Sequence, residues 1–350
     1  MRVVRSIVTL LLFSIFFHQE ISCFSINQEP LYEIFTPAEF YTDTNFQTCY
    51  VGERPRYSTC SSINWFHNDQ YLATVNFEGG FICTYDFTQI NDDPTPMQVI
   101  YGTNSAPLKG ADHLSFSPDG TLLAVSINHA RHINIYRVNT QNHLIDPEAI
   151  AVIKHSNPAV HGIRFTNKSN YLVCTTIRGT SVITTYNIGK KNRKISFDAI
   201  SNLKNDFLPL KPKSLDFTKD DQYVVVVYAA NVTVQKNETG GLIATYKFDK
   251  STGIIDQNPV SVYRNEEFKG GEDIRLNKND SAIFVSEHAS DIIKIYSFNK
   301  NTGAIGKKIT QLENPMSRLS FPHGLALSSN GKYLGVTNYG DDKFAIYSIL

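Results

Sequence analysis

The stretch Ile133-Asn134-Ile135-Tyr136-Arg137-Val138 decides the fold, because six versions of it recur along the chain. Their tyrosines follow one another at intervals of 51, 50, 60, 50 and 51 positions, and they are Tyr85, Tyr136, Tyr186, Tyr246, Tyr296 and Tyr347. Side chains of a strand alternate between its two faces, and in these stretches both faces are largely apolar or β-branched. A strand that is covered on both faces and recurs at this spacing is typical of a β-propeller.

A second apolar segment precedes each tyrosine by about twenty residues. In one repeat it is Leu114-Ser115-Phe116, followed by the turn Pro118-Asp119-Gly120 and by Leu122-Leu123-Ala124-Val125. Tight hairpins need such turn residues. A fourth, looser strand follows the tyrosine in most repeats, for example Ala149 to Ile153. The pattern predicts an all-β fold, a single propeller of six four-stranded antiparallel blades, with seven blades as the alternative.

The ends of the chain indicate how the ring closes. Only three residues follow Tyr347, so the sixth blade lacks its outermost strand. The segment 26–59 is long enough for one strand and a lead-in, but too short for a whole blade. A strand from Leu31 to Phe35, or from Phe46 to Val51, would seal the ring and cover an open sheet edge. We expect the propeller domain to span residues 26–350.

Residues 1–25 form a separate segment. Arg2 and Arg5 precede a mostly apolar run from Ile7 to Phe17. This layout predicts a cleaved secretory signal peptide, and therefore a secreted or extracytoplasmic protein. The run is too short for a stable membrane span, which needs about 20 apolar residues. Attachment of a lipid at Cys23 is the alternative.

Five cysteines are present, and an oxidising compartment permits disulfides. Cys49 and Cys60 are close in sequence beside the closing strand, and we predict that they form a bridge worth roughly 2–3 kcal/mol. Cys83 and Cys174 belong to blades that should not touch, so buried free thiols are expected there. Non-reducing peptide mapping that found Cys49 and Cys60 unlinked would refute the bridge.

Charge and motifs narrow the range of functions. Lys plus Arg equals Asp plus Glu, at 33 each, which argues against a nucleic-acid partner. The sequence contains no Gly-x-Ser-x-Gly, His-Glu-x-x-His or Cys-x-x-Cys motif and no glycine-rich phosphate loop. We therefore expect a monomer without a cofactor or a dedicated metal motif, whose partner is an unidentified small molecule or protein.

Two columns of polar residues mark one mouth of the predicted channel. One column precedes the first strand of each blade, the other ends the second strand, and radial repetition brings equivalent positions together. Their side chains could bind an anionic small molecule or a divalent metal, or supply acid–base groups; alternatively, they only hydrate the mouth and cap strand ends. The predicted ligand-binding residues are Asp112, His113, His161, Lys213, Glu272, Asp273, Glu287, His323 and Asn338. Arg178, His288 and Tyr339, just beyond the second column, are further candidates.

Some repeats resemble those of a known family. Phe116-Ser117-Pro118-Asp119-Gly120 and His323-Gly324-Leu325-Ala326-Leu327 with the Asn330-Gly331 turn are similar to repeats of lactonase-type and YVTN-type propellers, relatives of WD40 blades. The resemblance covers residues 60–350 at the level of repeats. It implies a propeller, usually with seven blades. It also implies either lactone-hydrolysing or carboxymuconate-cyclising activity, or no catalytic activity.

Two functions follow from these observations. The first is a secreted binding or interaction scaffold with a ligand site at the channel mouth, which the absence of a catalytic motif favours. The second is a lactonase-like enzyme that hydrolyses or cyclises a sugar or carboxylated lactone. In that enzyme His161 and His323 would act as general acid or base and Lys213 would hold the carboxylate.

Overall fold

The computed structural model describes residues 25–35, 49–50, 55–56, 59–90, 95–157, 159–168, 170–180, 182–191, 194–230, 240–265, 268 and 270–350. The predicted signal peptide up to residue 24, with Cys23, lies outside the described residues. Within the part that is described, no helix is both long enough and apolar enough to cross a membrane.

The described strands, numbered in chain order, are β1 Tyr32–Phe35, β2 Cys49–Tyr50, β3 Pro55–Arg56, β4 Cys60–Phe66, β5 Tyr71–Asn76, β6 Phe81–Asp86, β7 Gln98–Tyr101, β8 Ala111–Phe116, β9 Leu122–Ile127, β10 His132–Val138, β11 Ile145–Lys154, β12 Val160–Phe165, β13 Tyr171–Thr176, β14 Val182–Lys191, β15 Lys194–Lys204, β16 Lys211–Phe217, β17 Tyr223–Ala229, β18 Gly241–Asp249, β19 Ile254–Ile255, β20 Ser261–Asn265, β21 Gly271–Leu276, β22 Ala282–Glu287, β23 Ile292–Asn299, β24 Ala304–Glu313, β25 Pro322–Leu327, β26 Tyr333–Asn338 and β27 Lys343–Ser348. A short 3-10 helix, Phe87–Gln89, follows β6.

The described strands form six antiparallel blades around a channel. The innermost strands of blades one to six are β4, β8, β12, β16, β21 and β25, and each contacts the innermost strands of its two neighbours. In blade four, β19 and β20 share the outer position beside β18. The prediction of an all-β propeller with six blades is confirmed, and the seven-bladed alternative is not adopted.

The N-terminal strand closes the ring, as predicted. β1 pairs antiparallel with β27 and so becomes the outermost strand of blade six. Of the two candidate segments, the one beginning at Leu31 supplies this strand, whereas β2 forms a small hairpin with β3. Trp65 donates its indole N–H to the carbonyl of Ala326, which joins blade one to blade six. β1 thus covers the edge of β27 that would otherwise be unpaired.

Apolar clusters fill every gap between neighbouring blades. One cluster joins each adjacent pair of blades, including the pair formed by blades six and one. All six repeat tyrosines are buried, as expected for core residues. The hydroxyl of Tyr347 donates to the carbonyl of Ser317 at 2.6 Å, and those of Tyr228 and Tyr246 are 2.8 Å apart. A buried tyrosine needs such a partner for its hydroxyl.

The cysteines agree with the predictions where the structure describes them. Cys83 and Cys174 are buried free thiols, and burial raises the pKa of each to about 12. Cys60 is buried in β4. The side chain of Cys49 lies outside the described residues, so its bridge to Cys60 stays a prediction.

Candidate functional site

A β-bulge interrupts the innermost strand of each blade near its beginning. In blade two, Asp112 and His113 together stand opposite Ser126. A bulge adds a residue to one strand and re-aims its side chain. We call the first bulge residues of the six blades the channel ring, which consists of Ser61, Asp112, His161, Lys213, Glu272 and His323.

The second bulge residue is a glycine in blades three and six, because neighbouring inner strands come very close there. A Cβ atom on Gly162 would lie 2.6 Å from the carbonyl oxygen of Lys213, and one on Gly324 would lie 2.7 Å from the Cα atom of Ser62. Glycine is the residue that permits such an approach. The two glycines therefore follow His161 and His323 for a steric reason.

Hydroxyl groups tie the bulges of adjacent blades together. The Ser126 hydroxyl accepts from the backbone N–H of His113 and donates to the carbonyl of His161 in the next blade. A hydroxyl can do both because it carries a donor and two lone pairs. The same bridge is made in blades three, five and six by Thr175, Ser286 and Thr337. The backbone of the channel ring is thus fixed from blade to blade.

Four side chains of the channel ring converge on one point. The Nε2 atom of His161 lies 3.5 Å from Asp112 Oδ2 and 3.2 Å from Glu272 Oε2. The Nε2 atom of His323 lies 3.7 Å from Asp112 Oδ1 and 3.8 Å from Glu272 Oε2. All four side chains are less than a tenth exposed. Two imidazoles and two carboxylates from four different blades therefore share one small, buried volume.

The two imidazoles are held by their outer nitrogen atoms. Nδ1 of His161 lies 2.9 Å from the carbonyl oxygen of Lys213, and Nδ1 of His323 lies 2.8 Å from that of Ser61. A carbonyl only accepts, so Nδ1 carries the proton in both rings. In the neutral form each Nε2 then points a lone pair at the centre of the ring.

The two carboxylates are held in the same manner. Glu272 Oε1 lies 2.8 Å from Lys213 Nζ and 3.0 Å from His288 Nδ1, and Asn128 donates to Asp112 Oδ2 at 2.7 Å. The other oxygens, Glu272 Oε2 and Asp112 Oδ1, have no hydrogen-bond partner among the described residues. Buried polar atoms without partners are costly. The centre of the ring is therefore suited to a cation or a hydrogen-bond donor.

A second layer of charge lies against the ring. Asp273 accepts hydrogen bonds from Arg275 and from the hydroxyl of Ser214, the latter at 2.6 Å. The imidazole of His113 lies between two acids, with Nδ1 3.3 Å from Asp112 Oδ1 and Nε2 3.7 Å from Asp273 Oδ1. This layer joins the ring residues of blades two and five through buried side chains.

The acids of the ring remain ionised although they are buried. Burial opposes the charge of Asp112, but the attraction of His161 and the other nearby histidines outweighs it and holds its pKa below the ordinary value. Burial likewise opposes the charge of Glu272, and Lys213 and His288 hold its pKa well below the ordinary value. The ring therefore presents carboxylates, not carboxylic acids, at neutral pH.

The histidines divide into charged and neutral members. For His113, burial is outweighed by the carboxylates of Asp112 and Asp273 on its two sides, which raise its pKa to about 9. For His323, burial lowers the pKa to about 4 and outweighs the attraction of Glu272 and Asp112. At neutral pH His113 is an imidazolium, while His323 is a neutral imidazole with a free Nε2 lone pair.

The structure brings together seven of the nine predicted ligand-binding residues, namely Asp112, His113, His161, Lys213, Glu272, Asp273 and His323. The other two lie at the same end of the channel with partners of their own. Glu287 pairs with Lys294 at 2.9 Å, and Asn338 accepts from the backbone N–H of Ser320. Sequence reasoning missed Asn128 as a supporting residue, because the bulge geometry that recruits it leaves no pattern in the sequence.

Aromatic side chains form a rim above the ring. Tyr339 stacks on His323 with ring centroids 5.3 Å apart, and Phe321 and Phe77 lie 6.0 Å and 6.1 Å from Tyr339. These three aromatic residues are partly exposed, and Phe321 also covers His288 at 4.3 Å. Arg178, the remaining candidate, is exposed. A ligand that approaches the ring would meet this rim first.

A cavity of about 600 Å³ lies at the opposite end of the channel, where the inner strands end. It is lined by aromatic and polar side chains that include Phe116, Arg164, Asp216 and Arg275. Arg164 Nε lies 3.4 Å from Asp216 Oδ1, and burial raises the pKa of Asp216 to about 6. The volume suits a small molecule. No sequence pattern singled out this end, so the cavity is a second place where a ligand could bind.

The sequence model of a family described as lactonase, 7-bladed beta-propeller, matches residues 50–263 and 235–350. No curated protein matches the chain.

Solved structures of low sequence identity share the fold. A 6-phosphogluconolactonase-like protein from Bacteroides uniformis is 13% identical with a TM-score of 0.59, covering 82% of this chain and 80% of its own. A similar protein from Bacteroides fragilis is 15% identical with a TM-score of 0.54, covering 79% and 76%. The Swd1 β-propeller domain of Myceliophteria thermophila is 10% identical with a TM-score of 0.53, covering 83% and 97%.

The family description and the structure differ in one respect. The description gives seven blades, whereas the described strands of this chain close into six. The family match nevertheless extends from the first blade to the last residue. The chain belongs to the lactonase family of β-propellers.

Proposed function

We propose that this protein is a secreted binding propeller that takes a small ligand at the mouth formed by the channel ring and its aromatic rim. One observation carries the proposal. The inner atoms of His161, His323 and Glu272 converge with Asp112, while Glu272 Oε2 and Asp112 Oδ1 have no hydrogen-bond partner among the described residues. A site of converging polar groups beneath partly exposed aromatic rings is typical of small-molecule sites.

The rim and the ring would contribute differently to binding. Tyr339, Phe321 and Phe77 offer apolar faces that stack on a sugar ring or another flat ligand. Beneath them, the neutral Nε2 of His323 is oriented to accept a hydrogen bond or to coordinate a cation. A polar ligand that also has an apolar face fits both layers.

A lactonase-like enzyme is the second candidate, supported by family membership and by the state of His323. Its neutral imidazole could take a proton from water, whose oxygen would then add to the lactone carbonyl. The ring C–O bond would break, and the proton would pass to the leaving alkoxide oxygen. In this geometry Lys213 acts as a positioning residue, because its ammonium group is already paired with Glu272 at 2.8 Å.

Calorimetry and a hydrolysis assay separate the two candidates. Wild type, the double variant His161→Ala with His323→Ala, and the control His143→Asn are titrated with sugar acids and sugar lactones, including 6-phosphogluconolactone. If wild type and His143→Asn bind a ligand without hydrolysing it, and the double variant does not bind it, the binding propeller is supported. If wild type and His143→Asn hydrolyse a lactone and the double variant does not, the lactonase-like enzyme is supported. Unaltered binding in the double variant would move the site, most directly to the cavity at the opposite mouth.

Secretion is a separate part of the proposal. It rests on the basic and apolar pattern of residues 1–25. Expression of the full-length chain with its own N-terminus should yield a product in the medium or periplasm that begins near residue 26. A product that stays in the cytoplasm with residues 1–25 intact would contradict secretion. A lipid-bearing N-terminus at Cys23 would show that the protein is anchored to a membrane and not released.

A further inference from the structure

We infer that the channel ring is a binding site for one divalent transition-metal ion, of the type of Zn²⁺. The ligand atoms are Nε2 of His161, Nε2 of His323 and Oε2 of Glu272, which all lie within 4.8 Å of one another. Asp112 lies beside them, with Oδ1 3.7 Å from His323 Nε2, and could complete the coordination. The inference deepens the proposed function, since it names what the ring itself binds.

The separations between these atoms match a metal polyhedron. Ligand atoms placed tetrahedrally at about 2.0–2.2 Å from a zinc ion lie about 3.3–3.6 Å from one another. His161 Nε2 lies 3.2 Å from Glu272 Oε2, and His323 Nε2 lies 3.8 Å from Glu272 Oε2 and 3.7 Å from the inner oxygen of Asp112, Oδ1. All three atoms of the His161, His323 and Glu272 set lie within 4.8 Å of one another, so side-chain shifts of about 1 Å or less would complete the coordination.

Each proposed ligand side chain is held by a hydrogen bond to a second group, as metal ligands in proteins usually are. Ligating histidines usually donate their other ring N–H to a carbonyl or carboxylate, which fixes the tautomer and the orientation of the ring. His161 and His323 both bond backbone carbonyls through Nδ1. Glu272 is held through Oε1 by Lys213, and Asp112 through Oδ2 by Asn128. In all four side chains the outer atom is occupied.

The inner carboxylate oxygens are the buried acceptors that a central cation would satisfy. Glu272 Oε2 and Asp112 Oδ1 are buried, and no described residue donates a hydrogen bond of good geometry to them; the neighbouring imidazole nitrogens are His161 Nε2 at 3.2 Å and His113 Nδ1 at 3.3 Å. The two oxygens belong to the same two carboxylates whose other oxygens are well bonded. A cation at the centre would satisfy both oxygens together.

The charges around the ring favour a cation. The carboxylates of Asp112, Glu272 and Asp273 face two permanent cations, Lys213 and Arg275. Lys213 pairs with Glu272 and Arg275 with Asp273, so neither of these permanent cations pairs with Asp112, whose described neighbours are His113, His161, His323 and Asn128. A metal ion beside His161 and His323 would place a permanent positive charge next to this carboxylate.

The mixture of ligands indicates which ions bind. Imidazole suits Zn²⁺, Co²⁺, Ni²⁺ and Fe²⁺, whereas Ca²⁺ and Mg²⁺ prefer sites made of oxygen atoms alone. Two imidazoles with one or two carboxylates therefore predict that Zn²⁺ and Co²⁺ bind more tightly than Mn²⁺, and far more tightly than Ca²⁺ or Mg²⁺. An exchangeable position on the ion would face the aromatic rim.

The test is a titration of metal-free protein with Zn²⁺ by calorimetry and with Co²⁺ by visible absorption. We expect one ion per chain and Co²⁺ bands of the intensity that four- or five-coordinate sites give. Glu272→Gln and His323→Gln should each weaken binding by at least about 100-fold, and Asn128→Ala by about 10- to 100-fold. Circular dichroism of the metal-free variants shows that they are folded.

The control addresses adventitious binding at the surface. His143 lies outside the ring, with its imidazole centroid 3.6 Å from that of the partly exposed His67, and such a pair can hold an ion by itself. His143→Asn should leave the affinity unchanged, and loss of binding in this variant would overturn the inference. If Glu272→Gln does not fold, His323→Gln is decisive. A wild-type protein that binds neither ion refutes the inference without any variant.

The outcomes also separate this inference from the proposed function. If metal-free protein binds a sugar acid or lactone but neither ion, the metal site is wrong and the ligand at the mouth stands. If the ions bind in the ring and no organic ligand binds, the metal site is supported and the proposed small-molecule site at the mouth is refuted.

Discussion

Replacing Ile34 by Ala tests whether the N-terminal strand holds the propeller closed. Ile34 is 1% exposed and packs in the cluster that joins blades six and one, together with Ile63 and Phe344. Removing most of a buried isoleucine side chain costs about 2–5 kcal/mol, because contacts are lost and a cavity remains. We expect a loss of about 3 kcal/mol. With an unfolding entropy of about 2.1 cal/mol/K per residue, the 350-residue chain loses about 4 °C in Tm.

The assay combines thermal unfolding with hydrogen exchange. Leu31→Ala is the matched control, since Leu31 precedes the same strand and is 42% exposed, and it should change the stability by no more than about 0.5 kcal/mol. Because β1 pairs with β27, Ile34→Ala should also speed deuterium uptake in peptides that cover 31–35 and 343–348. If Ile34→Ala and Leu31→Ala behave alike in both measurements, the closing role of β1 is refuted.

Three further predictions concern the core, the ring and pH. Tyr347→Phe should cost about 1 kcal/mol in chemical denaturation, because the carbonyl of Ser317 loses its donor, whereas Tyr347→Ala should cost about 3–5 kcal/mol; equal costs would contradict a core role. Lys213→Met should destabilise the fold by about 3–5 kcal/mol, since it leaves the buried carboxylate of Glu272 without its ammonium partner, and adding Glu272→Gln should recover most of this loss. Burial lowers the pKa of His155 below its ordinary value of 6.5, so the unfolded chain binds more protons than the folded chain as the pH falls below 6.5. The contribution of His155 to the free energy of unfolding is therefore complete above pH 6.5 and declines below it. His155→Gln should flatten the pH dependence of Tm below pH 6.5, and an unchanged slope would contradict the lowered pKa of His155.

The propeller could be predicted from the sequence because each blade repeats the same local pattern. Tyr136 and its equivalents recur at a spacing that is typical of a blade of four strands, and the segment that begins at Leu31 offers a strand to complete the sixth blade. The pattern could not decide between the segments beginning at Leu31 and Phe46. Pairing with β27 depends on long-range register, which no local signal records.

The composition of the ring could be predicted, but its geometry could not. Radial repetition places Asp112, His161 and Glu272 at equivalent positions of their blades, so their meeting follows from the blade pattern. Which atom of each side chain points inward depends on the bulges and on partners such as Asn128 and Ser126. These contacts form between residues that are far apart in the sequence, so the order of residues along a single strand does not reveal them.

The number of blades explains why the ring is closed. With six inner strands around the axis, side chains of blades that are not neighbours meet: His161 of blade three lies 3.2 Å from Glu272 of blade five as well as 3.5 Å from Asp112 of the adjacent blade two. A ring of seven blades would enclose a wider channel and separate these groups. The six-bladed ring thus accounts for the burial of charged residues that a wider channel would leave in water.

Anomalous diffraction at the zinc absorption edge, from crystals grown with Zn²⁺, tests the ligand role of the channel ring most directly. The structure predicts one peak about 2.0–2.2 Å from Nε2 of His161, Nε2 of His323 and Oε2 of Glu272, and no such peak in crystals of His323→Gln. Absence of a peak at the ring in the wild type, or a peak that lies only at surface histidines, would contradict the account.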